Sequence, residues 1–205
     1  MLLLCGMDNI EYLRAQEERI ITLNEWCQAY YNCDIKQFPD YTVDYIHQIA
    51  QRTIELQNQS VKGTRRVNEQ GNDTEEFLLR AITEVFGFNF TTLGQAYPDI
   101  KGSTSILSYP LVIESKIMEN ITDKGSFRVF YTSKPAPITK ERKNIEDSYH
   151  LLFIFVHDKK GKLNGKYRVV DLYDFHYTSY GKKQEGSYND ILKHNKFIAE
   201  RLINL

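Results

Sequence analysis

The chain has 205 residues, with 26 Lys and Arg against 27 Asp and Glu for a formal net charge of −1, and 41% of its residues are apolar. That composition supports a real core and leaves no long stretch to disorder, and the length suits one domain with at most a small helical appendage. It excludes a strongly basic nucleic-acid coat, so contact with a polyanion must come from local clusters.

Leu2-Leu3-Leu4-Cys5 is too short for a signal peptide, and no segment approaches a membrane span, so a soluble, cytoplasmic protein is expected. The cysteines are Cys5, Cys27 and Cys33, odd in number and without a CxxC pair. They read as free thiols in a reducing compartment; a zinc site from Cys27, Cys33 and His47 would match no common spacing.

Residues 9 to about 58 are expected to be helical. Ile10, Leu13, Ile20, Ile21 and Leu23 recur at helical spacing, Pro39-Asp40 marks a turn, and Val43, Ile46, Ile49, Ile54 and Leu56 supply a second helix. Residues 1–60 are thus an N-terminal helical region, and 61–205 the core of the protein. Residues 60–73 read as a polar loop with Lys62, Arg65 and Arg66. Asn72, Asp73 or Thr74 would cap the next helix, which puts Leu78, Leu79, Ile82, Val85 and Phe86 on one face and ends at Gly87. Glu75 shares that inward face. Equally, it suits the positive end of the helix as a first-turn residue.

Beyond Gly87 the pattern turns to short apolar runs. Strands are predicted from Phe88, over 110–118, 127–132, 150–157 and 167–173. The run LLFIFV is apolar on both parities, as in a central strand covered on both faces. Polar residues 138–148 and the segment from Tyr188 to Ile203 are predicted helices. The fold class is α/β (α+β), a small mixed sheet flanked by helices.

Chemistry concentrates on the strand from Pro110 to Met118. Val112, Glu114, Lys116 and Met118 share one face, so a carboxylate and an ammonium emerge side by side from an apolar strand. Charges there must pair, hold an ion or face a cleft. Asp99 lies fifteen positions before Glu114, and residues 102–109, rich in small and turn-forming types, can fold back as a hairpin that sets the two side by side. Two convergent carboxylates suit Mg²⁺, with Mn²⁺ as a substitute, and a neighbouring lysine can act on an attacking water or on the transition state. Asp99-Ile100-Lys101 is a second D-x-K candidate, but it runs straight into Gly102-Ser103.

Pro98-Asp99 followed by Glu114-Ser115-Lys116 on an apolar strand resembles the PD-(D/E)XK nuclease signature, shared by many type II restriction endonucleases and Holliday-junction resolvases. The resemblance covers roughly residues 70–160 and implies a restriction-endonuclease-like core. It also implies a Mg²⁺-dependent cut in double-stranded DNA that leaves a 5′-phosphate and a 3′-hydroxyl. Glu75 matches the glutamate that the family's preceding helix often turns toward the site, and the Ser115 carbonyl becomes a third metal ligand beside Asp99 and Glu114. A type II restriction enzyme acting as a homodimer is expected, with a repair or junction-resolving nuclease as the nearest alternative and a non-catalytic DNA- or protein-binding module as the alternative of another class. Basic residues that could meet DNA are Lys62, Arg65, Arg66, Lys134, Lys140, Lys160, Lys162, Lys182 and Lys183.

Overall fold

The computed structural model describes residues 17–60, 67–87, 89–93, 97–119, 128–132, 146–158, 160–180, 184–187 and 197–201. No helix among them is long and apolar enough to cross a membrane.

The N-terminal region departs from the helical expectation. Glu17–Thr22 is a strand, β1, paired antiparallel with β9, His176–Tyr180. Ile20 and Ile21, placed by their spacing on a helix, instead face Thr178 and Tyr177 across this ladder. Thr22 then starts helix α1, Leu23–Tyr31, with a capping box: the Glu25 N–H donates to Thr22 Oγ1 at 3.0 Å and the Thr22 N–H to Glu25 Oε2 at 2.7 Å. The short β2, Ile35–Lys36, runs parallel to the start of β7, Ser148–His157.

Two helices cover one face of the main sheet. In α2, Val43–Ser60, the residues Ile46, Ile49, Ala50, Thr53, Leu56 and Gln57 are buried at helical spacing. Helix α3, Val67–Phe86, begins well before the expected cap, so residues 67–73 are helical and not loop. Asn72, Asp73 and Thr74 therefore cap nothing. Thr74 instead donates its hydroxyl to Gln57 Oε1 at 2.8 Å, and both residues are fully buried between the helices. Gly87, at φ +96°, ends α3 as expected, its N–H reaching the Thr83 carbonyl.

The sheet order is β11-β8-β7-β5-β4-β3, with β3 at Phe90–Thr92, β4 at Ile100–Gly102, β5 at Leu111–Met118, β8 at Leu163–Asp171 and β11 at Phe197–Arg201. β5 and β7 are parallel, from Leu111 opposite Tyr149 to Met118 opposite Val156; the other neighbours in that order pair antiparallel. Leu111, Ile113, Leu151, Phe153, Phe155 and Val169 join α2 and α3 in one core cluster. Val112, Leu152, Ile154 and Val170 are buried as well, so β7 is central and covered on both faces, as its sequence predicts. Gly102 is required where β4 pairs with β3, because a Cβ there would lie 2.3 Å from the Asn89 carbonyl and 2.4 Å from the Phe90 ring. A separate ribbon pairs β6, Arg128–Thr132, with β10, Gln184–Ser187.

The C-terminal segment is also not the expected helix over its described part. Phe197–Arg201 is an edge strand on β8, where Glu200 sits opposite Arg168 and pairs with it at 3.1 Å, while that guanidinium lies 4.5 Å from the Phe197 ring centre. Ladder bonds and these cross-strand contacts outweigh the weak helical spacing. Most of the expected helix over 138–148 lies outside the described residues; Ser148 itself opens β7.

Candidate active site

β4 folds back on β5 through residues 103–110, with Ile100 opposite Ile113. Asp99, at the foot of β4, is clasped by backbone on both sides: its N–H donates to the Ile113 carbonyl at 3.0 Å, and its own carbonyl accepts from the Leu93 N–H at 2.7 Å. The Ser115 N–H donates to Asp99 Oδ2 at 2.8 Å. The hairpin expected from residues 102–109 thus brings the Asp99 carboxylate against the peptide between Glu114 and Lys116.

Glu114 is only 4% exposed, on a strand whose preceding residues are fully buried. The Lys116 ammonium donates to Glu114 Oε1, and to the Ser115 carbonyl at 3.1 Å. Burial by itself would lower the Lys116 pKa. The charges of Glu114 and Asp99, the hydrogen bond to Glu114 and the charge of Glu75 outweigh that and raise it above the ordinary lysine range. Glu75 is the ninth residue of α3, so the first-turn reading of this residue fails. It lines a cleft of about 330 Å³ together with Asp99, Ser115 and Lys116, with Gly71, Asn72 and Ile117 completing the wall. A glycine inside α3 weakens the helix by about 1 kcal/mol relative to alanine; here it keeps the cleft wall free of a side chain.

Lys101, the rival lysine, points elsewhere: its ammonium pairs with Glu146 at 3.0 Å. The carboxylates that line the cleft are Asp99 and Glu75, with Ser115 beside them, while Glu114 is buried and bonded to Lys116. No three His, Cys, Asp or Glu side chains form a metal cluster among the described residues. All-oxygen donors in that number fit Mg²⁺, which binds through one or two carboxylates and retains water or substrate oxygens. The four described histidines are engaged elsewhere. His47 bonds the Tyr167 hydroxyl, His157 and His176 bond the Asp158 and Asp174 carbonyls, and His150 bonds Tyr97 and Ser148. Cys27 and Cys33 are free and buried, while His47 bonds the Tyr167 hydroxyl through Nδ1.

Of the basic residues singled out in the sequence, Lys160 and Lys162 are exposed on the turn joining β7 to β8. Asp158 Oδ1 accepts from both of their N–H groups, at 2.8 and 2.9 Å, and Gln57 Nε2 donates to the Gly161 carbonyl at 3.0 Å. The turn stands at the end of the sheet where β5 and β7 finish, the end that carries Lys116. Lys62, Arg65, Arg66, Lys134, Lys140, Lys182 and Lys183 lie outside the described residues.

Sequence reasoning misses the buried hydrogen bonds of His150, 53 residues from Tyr97. The one signal in the sequence is a histidine inside the most apolar strand. Full burial holds its pKa down at about 3. The unfolded chain takes up a proton near pH 6.5 that the folded chain refuses until about pH 3. Stability is therefore expected to fall from pH 6.5 toward pH 3 by several kcal/mol, at about 1.4 kcal/mol per unit. Urea midpoints of the wild type should drop more steeply between pH 7 and 4 than those of His150→Gln; equal slopes would refute the assignment.

A mixed sheet that presents a carboxylate-x-lysine strand beside a second carboxylate is the arrangement that the resemblance to restriction enzymes leads one to expect. The chain belongs to the MjaV family of type II restriction enzymes, whose family model matches residues 33–190. Among solved structures it is similar to the tetrameric restriction endonuclease SfiI bound to cognate DNA, with a TM-score of 0.39 and 11% identity over 64% of this chain. That match spans 62% of the SfiI chain. No curated protein sequence matches.

Proposed function

We propose that the protein is a cytoplasmic, Mg²⁺-dependent endonuclease that cuts double-stranded DNA at a specific sequence and leaves a 5′-phosphate and a 3′-hydroxyl. The observation that carries this reading is the bond from the Ser115 N–H to Asp99, which sets that carboxylate at one cleft with Lys116, itself bonded to the buried Glu114. Asp99, Glu114 and the Ser115 carbonyl would hold the ion, which when bound supplies Lewis-acid polarisation of the phosphate and a more acidic water. Lys116 donates hydrogen bonds to the attacking water and to the phosphate oxygens as negative charge builds on them. The charge of Glu75 adds to those of Glu114 and Asp99 in favouring the protonated form of this ammonium. Lys160 and Lys162 meet the DNA backbone, and Lys62, Arg65, Arg66, Lys134, Lys140, Lys182 and Lys183 are further candidates for phosphate contact.

Plasmid DNA should yield discrete fragments in Mg²⁺ or Mn²⁺ and remain intact in EDTA. Undiminished cutting in chelator would end the metal reading, smeared products would end site specificity, and no cutting at all would favour a binding module.

A homodimer is the assembly proposed, because two related sites on a two-fold axis match the two strands of a symmetric target. Light scattering is expected to give the mass of two chains plus the duplex for the complex on DNA. A monomer both free and bound would contradict it.

A further inference from the structure

We infer that His150 is a positioning residue for Asp99, acting through the hydroxyl of Tyr97 to fix the turn that carries this carboxylate. The inference rests on the nuclease reading above. His150 lies on β7 opposite Val112, two residues from the partner of Glu114. Its side chain is fully buried, Tyr97 is 4% exposed, and neither lines the cleft. Both ring nitrogens are engaged: Nε2 with Ser148 Oγ at 2.9 Å, and Nδ1 with the Tyr97 hydroxyl at 2.5 Å.

The direction of the chain follows from its far end. Ser148 donates its hydroxyl to the Glu146 carbonyl at 2.7 Å, which leaves the oxygen to accept. Nε2 therefore carries the ring proton and donates to Ser148, and Nδ1 accepts from Tyr97. Donors run one way from Tyr97 through His150 and Ser148 to a backbone carbonyl. A buried hydroxyl and imidazole are costly without such partners. Phenylalanine and an aliphatic residue would fill the same space without that cost, so what the polar pair adds is direction.

That direction reaches Asp99 through a short, stiff arm. Tyr97 is joined to Asp99 only by Pro98, whose ring fixes φ. Beyond the arm, the Asp99 N–H and carbonyl are held by Ile113 and Leu93. With Tyr97 tied to β7 and the Asp99 backbone tied to β5, the carboxylate has little freedom but to meet the Ser115 N–H.

The test compares wild type, Tyr97→Phe, His150→Gln and His150→Leu on a short duplex carrying the mapped cleavage site. Tyr97→Phe removes one oxygen and keeps the ring. It is expected to slow single-turnover cleavage about tenfold to a hundredfold, the scale of a small misplacement of a catalytic group. Its affinity for the duplex in EDTA, read by fluorescence anisotropy, should stay at the wild-type value, while the Mn²⁺ concentration for half-maximal rate rises. His150→Gln keeps an acceptor for Tyr97 and a donor for Ser148, so it should cut faster than His150→Leu at matched melting temperature. ¹⁵N shifts of the imidazole should report the neutral Nε2–H form in the wild type. Wild-type cleavage by Tyr97→Phe, parallel losses in rate and DNA affinity, or the Nδ1–H form would each overturn the inference. If the wild type cuts no DNA, the nuclease reading fails first. Mn²⁺ binding to the free protein, followed by loss of the free-ion spin-resonance signal, then decides: weaker binding by Tyr97→Phe sustains the positioning role, and equal binding ends it.

Discussion

Lys116→Ala is expected to lower single-turnover cleavage by at least about a hundredfold, the scale for a group acting on the nucleophile, while Lys101→Ala cuts at close to the wild-type rate. The two lysines end the two D/E-x-K sequences, and their surroundings separate them. Lys116 stands half-buried on β5, donates to Glu114 and the Ser115 carbonyl, and feels the charges of Asp99 and Glu75. Lys101 pairs with Glu146, a carboxylate with 61% of its side chain exposed. Such surface pairs contribute at most about 1 kcal/mol. Saturating enzyme removes binding defects from the measured rate. If Lys101 touches a DNA phosphate, its removal therefore leaves the rate unchanged and shows only as a salt-dependent fall in affinity. An inactive Lys101→Ala beside an active Lys116→Ala would move the active site to β4.

Asp99→Asn is expected to lose about a thousandfold or more in cleavage, the equivalent of roughly 4 kcal/mol of transition-state stabilisation, and to keep sequence-specific DNA binding. Asparagine retains an oxygen that can accept from the Ser115 N–H, and the backbone bonds to Ile113 and Leu93 do not involve the side chain. The fold and the DNA surface should therefore survive, and only the charge that would hold the ion is removed. Gel shift in EDTA and single-turnover cleavage in Mg²⁺ read the two properties separately. Cutting at the wild-type rate would remove Asp99 from the site.

How much of this is legible in the sequence depends on how local the deciding physics is. Strand alternation puts Glu114 and Lys116 on one face, and the small residues after Gly102 allow the hairpin that delivers Asp99. Both are short-range features, and the structure has them. Ile20 and Ile21 mislead because helical spacing cannot register a strand more than 150 residues away, where Tyr177 and Thr178 complete the ladder. The same holds for Phe197–Arg201, decided by pairing with β8. The early start of α3 is hidden by Gly71, Asn72 and Asp73, residues that usually mark a loop but here belong to a helix packed against α2 through Thr74 and Gln57. Correcting that boundary removes the helix-end reading of Glu75 and leaves the inward-facing one, on the wall of the cleft. The Tyr97–His150–Ser148 chain joins segments distant in sequence, and no spacing announces it.

The central claim is that the cleft lined by Asp99 and Lys116, with Glu114 bonded to that lysine, hydrolyses DNA. It is tested most directly by incubating one supercoiled plasmid, in Mg²⁺, with equal amounts of wild-type protein and Asp99→Asn. The account predicts a fixed set of linear fragments from the wild type and intact plasmid with the variant; equal cutting by both proteins, or none by either, would contradict it.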